Sequence, residues 1–438
     1  MPTSQSPADA GASSDRPSIL GKYELLEEVG HGAVGVVHRA RDNLSGQEVA
    51  VKVFAPTTSA QRDIYDRLFF NEVRANGLLR HPNIVPVLDA GQEGNRYYVV
   101  MEYVQGVHTL EQFCQSQRLL PIKRVLEIAI DCAEALHYAH GKGVIHRDIK
   151  PANVLISEGY GARLSDFGIA VLGEGQLADT ATFISAGSPL HMAPEQIRHD
   201  AVTPSTDLFA LGVVTYELLS GRHPFSGRSM AAVTQRLLHH EPVPLAQLRS
   251  DLPPGLSELI VETLAKTAFG RPSNSLEFAR RLSELFGDDR RPLEGIITEG
   301  RADQLRELDF FRGFGDAELW ELLRWAHWED VAVDEAIEHE GEQGSSFFIL
   351  VEGLMQVRKA DVNIARLAPG ACLGEISYLS SQPRSATVVA ISPCSVLRIN
   401  GDLLQSASQR CQLAFQNAFI RTLIARLAAT TTALANRD

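Results

Sequence analysis

The sequence is poor in the features that mark several protein classes. Its five cysteines (Cys114, Cys132, Cys372, Cys394 and Cys411) are odd in number and never stand as a C-x-x-C pair. That excludes a disulfide framework and leaves no zinc-binding spacing, so buried, reduced thiols in a cytoplasmic protein are expected. Basic charge is in deficit: 41 Lys and Arg face 54 Asp and Glu, a formal net charge of −13. Such a balance speaks against a chain held on nucleic acid through phosphate contacts. No apolar run reaches the roughly 18 residues that a membrane span needs. The most apolar stretch, Leu208–Leu219, is interrupted by Thr215, Tyr216 and Glu217. Met1–Ser18 has no apolar core segment and is not a secretory signal; its Ser, Pro, Ala and Gly content reads as a flexible polar tail.

What remains is material for large cores. Hydrophobic residues make up 44% and charged residues 22% of the 438 positions. At about 100–200 residues per domain, that length predicts two to four compact units. Apolar alternation and β-branched residues from Tyr23 to Val53 predict short strands, and Tyr97–Tyr103 predicts another. Helical spacing covers Asp63–Leu79, Ile122–His140, Asp207–Leu219 and Ser257–Ala268. Strands return from Phe347 to Ile399, and Leu403–Ala435 closes with helical spacing. The expected plan is a tail over 1–20, a mixed unit over 21–286, a charged, glycine-bearing linker over 287–303 and a smaller unit over 304–438.

Gly30, Gly32, Gly35 and Val37 fit G-x-G-x-x-G-x-V between two predicted strands. Glycines let a hairpin backbone approach phosphate oxygens where any Cβ would collide. A dinucleotide-binding turn shares this spacing but runs into a helix, whereas Val36 and Val37 continue as β-type residues. Val49-Ala50-Val51-Lys52 then places a lysine on a strand. His146-Arg147-Asp148-Ile149-Lys150-Pro151-Ala152-Asn153 brings a carboxylate, an amine and a carboxamide within eight residues. Asp166-Phe167-Gly168 and Ala193-Pro194-Glu195 follow. In this order, over about residues 23–286, the set resembles the protein kinase family.

The resemblance implies a bilobal kinase fold and ATP with Mg²⁺ as cofactors. An ATP site would be built from Gly30, Gly32, Gly35, Val37, Ala50, Lys52, the gatekeeper Met101 and the hinge backbone of Glu102 and Val104. Lys52 would hold the α/β-phosphates and pair with Glu72. Asn153 and Asp166 would bind Mg²⁺, a hard cation suited to oxygen ligands. Asp148 would accept the proton of the substrate hydroxyl while Lys150 steadies the γ-phosphate. Lys150-Pro151 after Asp148 is the serine/threonine form of the catalytic loop, so the partner is a protein substrate. His191 stands where a tyrosine is usual, and Asp207 and the pair Arg271–Glu195 fit scaffold positions. Arg147 implies a basic pocket for an activation-loop phosphate, with Thr182 and then Thr180 as acceptors.

A second constellation follows the linker. Gly341-Glu342-Gln343-Gly344 precedes a strand, then come Leu373-Gly374-Glu375-Ile376-Ser377-Tyr378-Leu379 and Pro383-Arg384-Ser385-Ala386-Thr387-Val388. Over residues 304–430 this resembles a cyclic nucleotide-binding domain, which implies a β jelly-roll with flanking helices and an α+β chain overall. The fork of Arg384 matches a cyclic phosphate, the N–H groups after Gly374 face the same oxygens, and Glu375 can accept from the ribose 2′-OH. Gly374, Glu375, Arg384, Ser385 and Ala386 form the expected pocket. Alanine after the arginine is usual in cAMP-selective kinase domains and threonine in cGMP-selective ones; serine also occurs in bacterial cAMP-binding regulators, so cAMP is favoured over cGMP.

Three whole-chain readings differ in class. The leading one is a serine/threonine kinase regulated in cis by a cyclic nucleotide. In the second, the kinase is constitutive or autophosphorylation-controlled and the barrel is a docking or dimerisation module. The third, a scaffold without activity, is disfavoured because Lys52, Glu72, Asp148, Asn153 and Asp166 are all in place. A catabolite-activator-type regulator would need a helix-turn-helix beyond the barrel. The sequence ends at Asp438 directly after the helical stretch, and the acidic run Glu329–Glu342 suits no DNA face. The terminal stretch, with Phe415, Phe419, Leu423 and Leu427 at helical spacing, packs on its own barrel, covers the purine or forms a homodimer contact.

Overall fold

A computed structural model of the chain describes residues 18–435 apart from 32–34, 57, 59–61, 63–68, 70–72, 74–76, 78, 158–159, 168–188, 287–294, 361, 381 and 406. The expected tail up to residue 17, Gly32, Glu72, Thr180 and Thr182 therefore lie outside the described residues. The described chain forms two compact units. One takes in the chain up to Gly77 together with Pro86–Val104; the other holds Leu78–Val85, Gln105–Val171 and everything from Ser188 on.

The first unit is built on an antiparallel sheet of six strands. They are β1 (Ser18–Leu20), β2 (Tyr23–His31), β3 (Val36–Asp42), β4 (Glu48–Phe54), β5 (Val87–Glu93) and β6 (Arg96–Glu102), in the order β1-β2-β3-β4-β6-β5. Valine at every second position suits β4 to a half-covered pleated surface. Val49 and Val51 point one way, into a core with Leu20, Tyr23, Ala40 and Val100. The alternate positions Ala50 and Lys52 point the other way.

In the second unit, helix α1 (Ile122–Gly141) lies against the small sheet of β7 (His108–Thr109), β8 (Val154–Ser157) and β9 (Tyr160–Leu164). Helix α2 (Pro204–Ser220) begins with proline at its first position, where the missing N–H is no loss, and ends at Gly221 with φ 67°. Every residue from Thr206 to Leu219 is buried. A helix apolar all round belongs inside a core, which accounts for the most apolar stretch of the sequence. Helices α3 (Leu256–Thr263) and α4 (Ser275–Phe286) follow later in this part. No helix among the described residues is long and apolar enough to cross a membrane.

Of the stretch expected to be a linker, 287–303, the part from Gly295 belongs to helix α5 (Gly295–Glu307), whose Ala302 and Leu305 are buried. Helix α6 (Asp316–Trp325) leads into a barrel of two four-stranded antiparallel sheets. One is β10 (His327–Val331), β17 (Cys394–Asn400), β12 (Ser346–Glu352) and β15 (Cys372–Leu373). The other is β11 (Ala336–Glu338), β16 (Thr387–Ala390), β13 (Met355–Lys359) and β14 (Val362–Leu367). Strand β12 reads S-F-F-I-L-V-E without alternation because both its faces are covered. Phe347, Ile349 and Val351 face a cluster with Leu305, Phe310, Phe311 and Phe415. Phe348 and Leu350 face the barrel interior with Val331, Met355, Val388 and Val396. Short helix α7 (Glu375–Ser380) interrupts the strands, and α8 (Gly401–Gln405) and α9 (Gln409–Ala435) close the chain.

Candidate functional site

In the first unit the sheet register collects several of the expected ATP-site residues. Lys52 pairs across to Val37 on β3 and to Val99 on β6, Ala50 pairs with Met101, and Gly30 pairs with Val37. Side-chain alternation therefore puts Val37, Ala50, Lys52 and Met101 on one face. Lys52 is buried, with its ammonium 5.6 Å from the Phe54 ring centre. Gly35 has a steric reason to be glycine: a Cβ there would lie 2.4 Å from the Val53 carbonyl oxygen. The backbone N–H of Glu102 donates to Pro86 O at 3.2 Å, and Val104 is buried.

In the second unit the loop His146–Asn153 is held from beneath by Asp207. Its Oδ1 accepts from the Arg147 N–H at 2.7 Å, and its Oδ2 from the His146 N–H and His140 Nε2, both at 2.8 Å. His146 Nε2 donates to Ser165 O at 2.9 Å, tying the loop to the chain just before Asp166. This clamp sustains left-handed backbone at two non-glycine residues, Arg147 at φ 67° and Asp166 at φ 64°, conformations that persist only where the surroundings impose them. Above it, Asp148 Oδ2 accepts from Lys150 Nζ at 2.6 Å and from Asn153 Nδ2 at 3.0 Å. Asn153 Nδ2 also donates to Asp148 O at 2.8 Å, which orients the amide so that its oxygen is the atom offered to a cation. With the Asp166 carboxylate this is a hard-oxygen donor set that fits Mg²⁺. Arg147 Nε is buried without a hydrogen-bond partner among the described residues.

The scaffold beneath is a bidentate ion pair. Arg271 Nη1 and Nη2 donate to Glu195 Oε1 and Oε2 at 2.7 and 2.8 Å, and Nη1 also reaches Ser205 O at 2.8 Å. Burial raises the pKa of Glu195, but the Arg271 hydrogen bonds and charge outweigh it and hold the carboxyl below its ordinary value. The pair's stabilisation is therefore full at neutral pH and is lost only as pH falls through that depressed pKa. Arg271→Ala strands a mostly buried carboxylate, 12% exposed, and an unfolding free-energy loss of about 3 kcal/mol is expected from a urea titration.

His191 donates through Nε2 to Glu217 Oε2 at 2.7 Å, and the ligand atoms of His191, Glu217 and His223 lie within 4.8 Å of one another. The trio is a hydrogen-bonded knot and not a metal centre. His223 Nδ1 accepts from the Phe225 N–H at 3.1 Å and its Nε2 reaches Leu190 O at 2.8 Å, so both ring nitrogens are spent. Burial also holds the His223 pKa below its ordinary value, keeping the ring neutral.

In the barrel, two of the expected pocket residues, Gly374 and Arg384, are in direct contact. Gly374 takes φ 74° at the start of α7, and a Cβ on it would lie 2.1 Å from both Arg384 Nη1 and Glu338 Oε1. Arg384, 7% exposed, donates from Nη1 to Gly374 O at 3.0 Å and from Nη2 to Ser346 O at 2.6 Å. Glu375 is buried, Ser385 exposed and Ala386 buried. Two further residues enter that the sequence motifs do not contain. Arg426, on α9, pairs with Glu375 and donates to Cys372 O. Glu338, at the end of β11, lies 2.9 Å from Arg384 Nη1. Helix α9 thus reaches the pocket. It buries Phe415 and Phe419 in the core beside the barrel but leaves Leu423 and Leu427 exposed. Arg426 is one of three arginines on α9, with Arg410 and Arg421, and no motif singles it out, while Glu338 is hidden in the acidic run around it.

These observations define a chain of two modules, a kinase-type phosphotransfer domain and a ligand-binding barrel. The chain matches the Protein kinase domain family over residues 23–282 and the Cyclic nucleotide-binding domain family over residues 329–411. The first match spans more than half of the chain: it belongs to the protein kinase family. It is 37% identical over 283 residues to the serine/threonine-protein kinase PknB of Mycolicibacterium smegmatis, covering 64% of this chain and 45% of that protein. To the serine/threonine-protein kinase PrkC of Bacillus subtilis it is 33% identical over 273 residues, covering 62% and 42%. The chain spans a little under half the length of these curated relatives. The crystal structure of a variant of the PknI kinase domain from Mycobacterium tuberculosis is similar at a TM-score of 0.51 and 27% identity, covering 63% of this chain and all of that one. Membership implies use of ATP and Mg²⁺, and the barrel domain implies a cyclic nucleotide ligand.

Proposed function

We propose that this chain transfers the γ-phosphate of ATP to serine and threonine hydroxyls of proteins. In this reading a cyclic nucleotide, cAMP ahead of cGMP, binds at Glu375 and Arg384 and regulates the rate in cis. Asp148 accepts the proton of the attacking hydroxyl, Lys150 and Lys52 steady phosphate oxygens, and Asn153 and Asp166 hold Mg²⁺, whose charge offsets that of the phosphates. Thr182 and Thr180 are the proposed phosphate acceptors that would fill the pocket at Arg147; mass spectrometry of active protein lacking both phosphates would refute this.

The observation that carries regulation in cis is a ring contact. Trp320 of α6, on the sensor side, is 1% exposed and packs against both His81 and Tyr138, with ring centres 4.8 and 5.6 Å away, while those two rings also touch each other at 5.3 Å. Tyr138 belongs to α1, and its hydroxyl accepts from the Arg80 N–H at 3.1 Å. The loop Arg80–Ile84 follows directly on the stretch that carries Glu72. A shift of α6 on nucleotide binding has this packed loop as its route into the kinase, since close-packed interiors transmit displacement.

The test is the phosphorylation rate of the full chain with and without cAMP or cGMP, with Asp148→Asn as the blank. A rate that responds to one nucleotide and stops responding in Arg384→Ala supports the reading. A rate indifferent to both leaves a kinase whose barrel docks or dimerises. Trp320→Ala is expected to keep nucleotide affinity within about twofold while abolishing the rate response, and Trp320→Phe, which keeps a ring there, to restore part of it. A full response in Trp320→Ala would remove this contact from the coupling.

A further inference from the structure

The barrel pocket contains a carboxylate for which recognition of a cyclic nucleotide has no use. Glu338 is 5% exposed and lies 2.9 Å from Arg384, the residue expected to bind the cyclic phosphate. The contact is one of charge and not of alignment: Glu338 Oε1 accepts no hydrogen bond among the described residues. The guanidinium hydrogens go instead to Gly374 O and Ser346 O. Gly374 closes the third side, since a Cβ on it would collide with both partners. A cyclic phosphate approaching Arg384 therefore meets a buried anion already on the same cation.

We propose that Glu338 stands in for the cyclic phosphate on Arg384 before nucleotide arrives, and that binding exchanges one anion for the other as Glu338 takes up a proton from solvent. The inference rests on the reading of this pocket as a cyclic nucleotide site.

The charge balance supports it. The groups facing Glu338 are Arg384 from the segment before β16, Glu375 at the start of α7 and, paired with Glu375, Arg426 of α9. Strand β16 opposes β11 with Val388 and Val389, and on Glu338's own chain His339 and Glu340 are exposed. The Cys372 thiol of β15 is pushed up by burial and uncharged. Two carboxylates and two guanidiniums are neutral together. A cyclic phosphate adds one negative charge, and one proton on Glu338 restores neutrality while supplying an O–H that can donate to a phosphate oxygen. The proton is within reach: burial pushes Glu338 up to about 7, with Arg384 opposing and Glu375 adding to the rise.

Calorimetry of the full chain with cAMP and with cGMP at pH 6 and pH 8, in buffers of different ionisation heat, measures affinity and protons taken up together. The wild type is expected to bind about tenfold more weakly at pH 8 than at pH 6, with uptake approaching one proton at pH 8. Glu338→Gln, neutral throughout, is expected to bind at pH 8 about tenfold more tightly than the wild type and to show neither pH dependence nor uptake. Should that variant fail to fold, the wild-type proton count decides the matter by itself. Binding that depends on Arg384 but is flat in pH, without proton uptake, overturns the exchange and leaves the nucleotide reading standing. No binding of either nucleotide to either protein at either pH overturns both.

Discussion

Replacing Asp148 by Asn is expected to lower the phosphorylation rate by about 10²–10⁴-fold, the range that a positioned general base contributes. The substitution is nearly isosteric, so the hydrogen-bonded arrangement with Lys150 and Asn153 keeps at least one acceptor in place. What the amide lacks is an oxygen that can take the hydroxyl proton. The side chain is 38% exposed, and the bonds from the loop to Asp207 are independent of its charge. Thermal stability and MgATP affinity should accordingly stay near wild type, which separates this effect from misfolding. A purified Asp148→Asn protein with a rate within tenfold of the wild type would take Asp148 out of proton transfer.

Arg384→Ala should have the second largest effect, on the other module. Truncating one member of a buried, hydrogen-bonded charge pair costs about 2–5 kcal/mol, which corresponds to a loss of nucleotide affinity of about 30-fold to a few thousand-fold. The same change leaves Glu338 without its cation. Burial then acts on it unopposed, and its pKa rises beyond the value of about 7 that it has with Arg384 present. A carboxyl with a folded-state pKa above its unfolded value contributes stability at low pH and loses it as pH rises through the folded pKa. The variant should therefore unfold at lower urea concentration at pH 8 than at pH 6, by a wider margin than the wild type. Unchanged cAMP and cGMP affinity in Arg384→Ala would move the phosphate site elsewhere.

The parts of this molecule that were legible in the sequence are those whose chemistry is local. Asp148, Lys150 and Asn153 lie within six residues and form one hydrogen-bonded group. Lys52 and Ala50 share a face because strand alternation requires it, and β4 could be recognised from its valines. The helix predicted over Asp207–Leu219 is present as Pro204–Ser220, and its apolar character reflects a position inside a core. Spacing misleads where an element outruns its support. Phe415, Phe419, Leu423 and Leu427 share one helical face, yet only the two phenylalanines meet the core while the leucines are exposed. Likewise, a glycine- and charge-bearing stretch read as linker holds helix α5, because Ala302 and Leu305 find a surface to cover.

By itself, the sequence determined the class of chemistry and the residues of each motif, since a catalytic loop or a phosphate cassette is a short segment whose side chains meet whatever surrounds it. The tertiary structure alone decided which groups from elsewhere in the chain share those sites. Trp320 reaches His81 and Tyr138, Arg426 reaches across 51 positions to Glu375, and Glu338 comes from β11 to Arg384. The physical reason is that burial and charge act through space. An acidic residue in a run of acidic residues looks like a solvated surface, and only strand pairing and packing place it against a buried guanidinium.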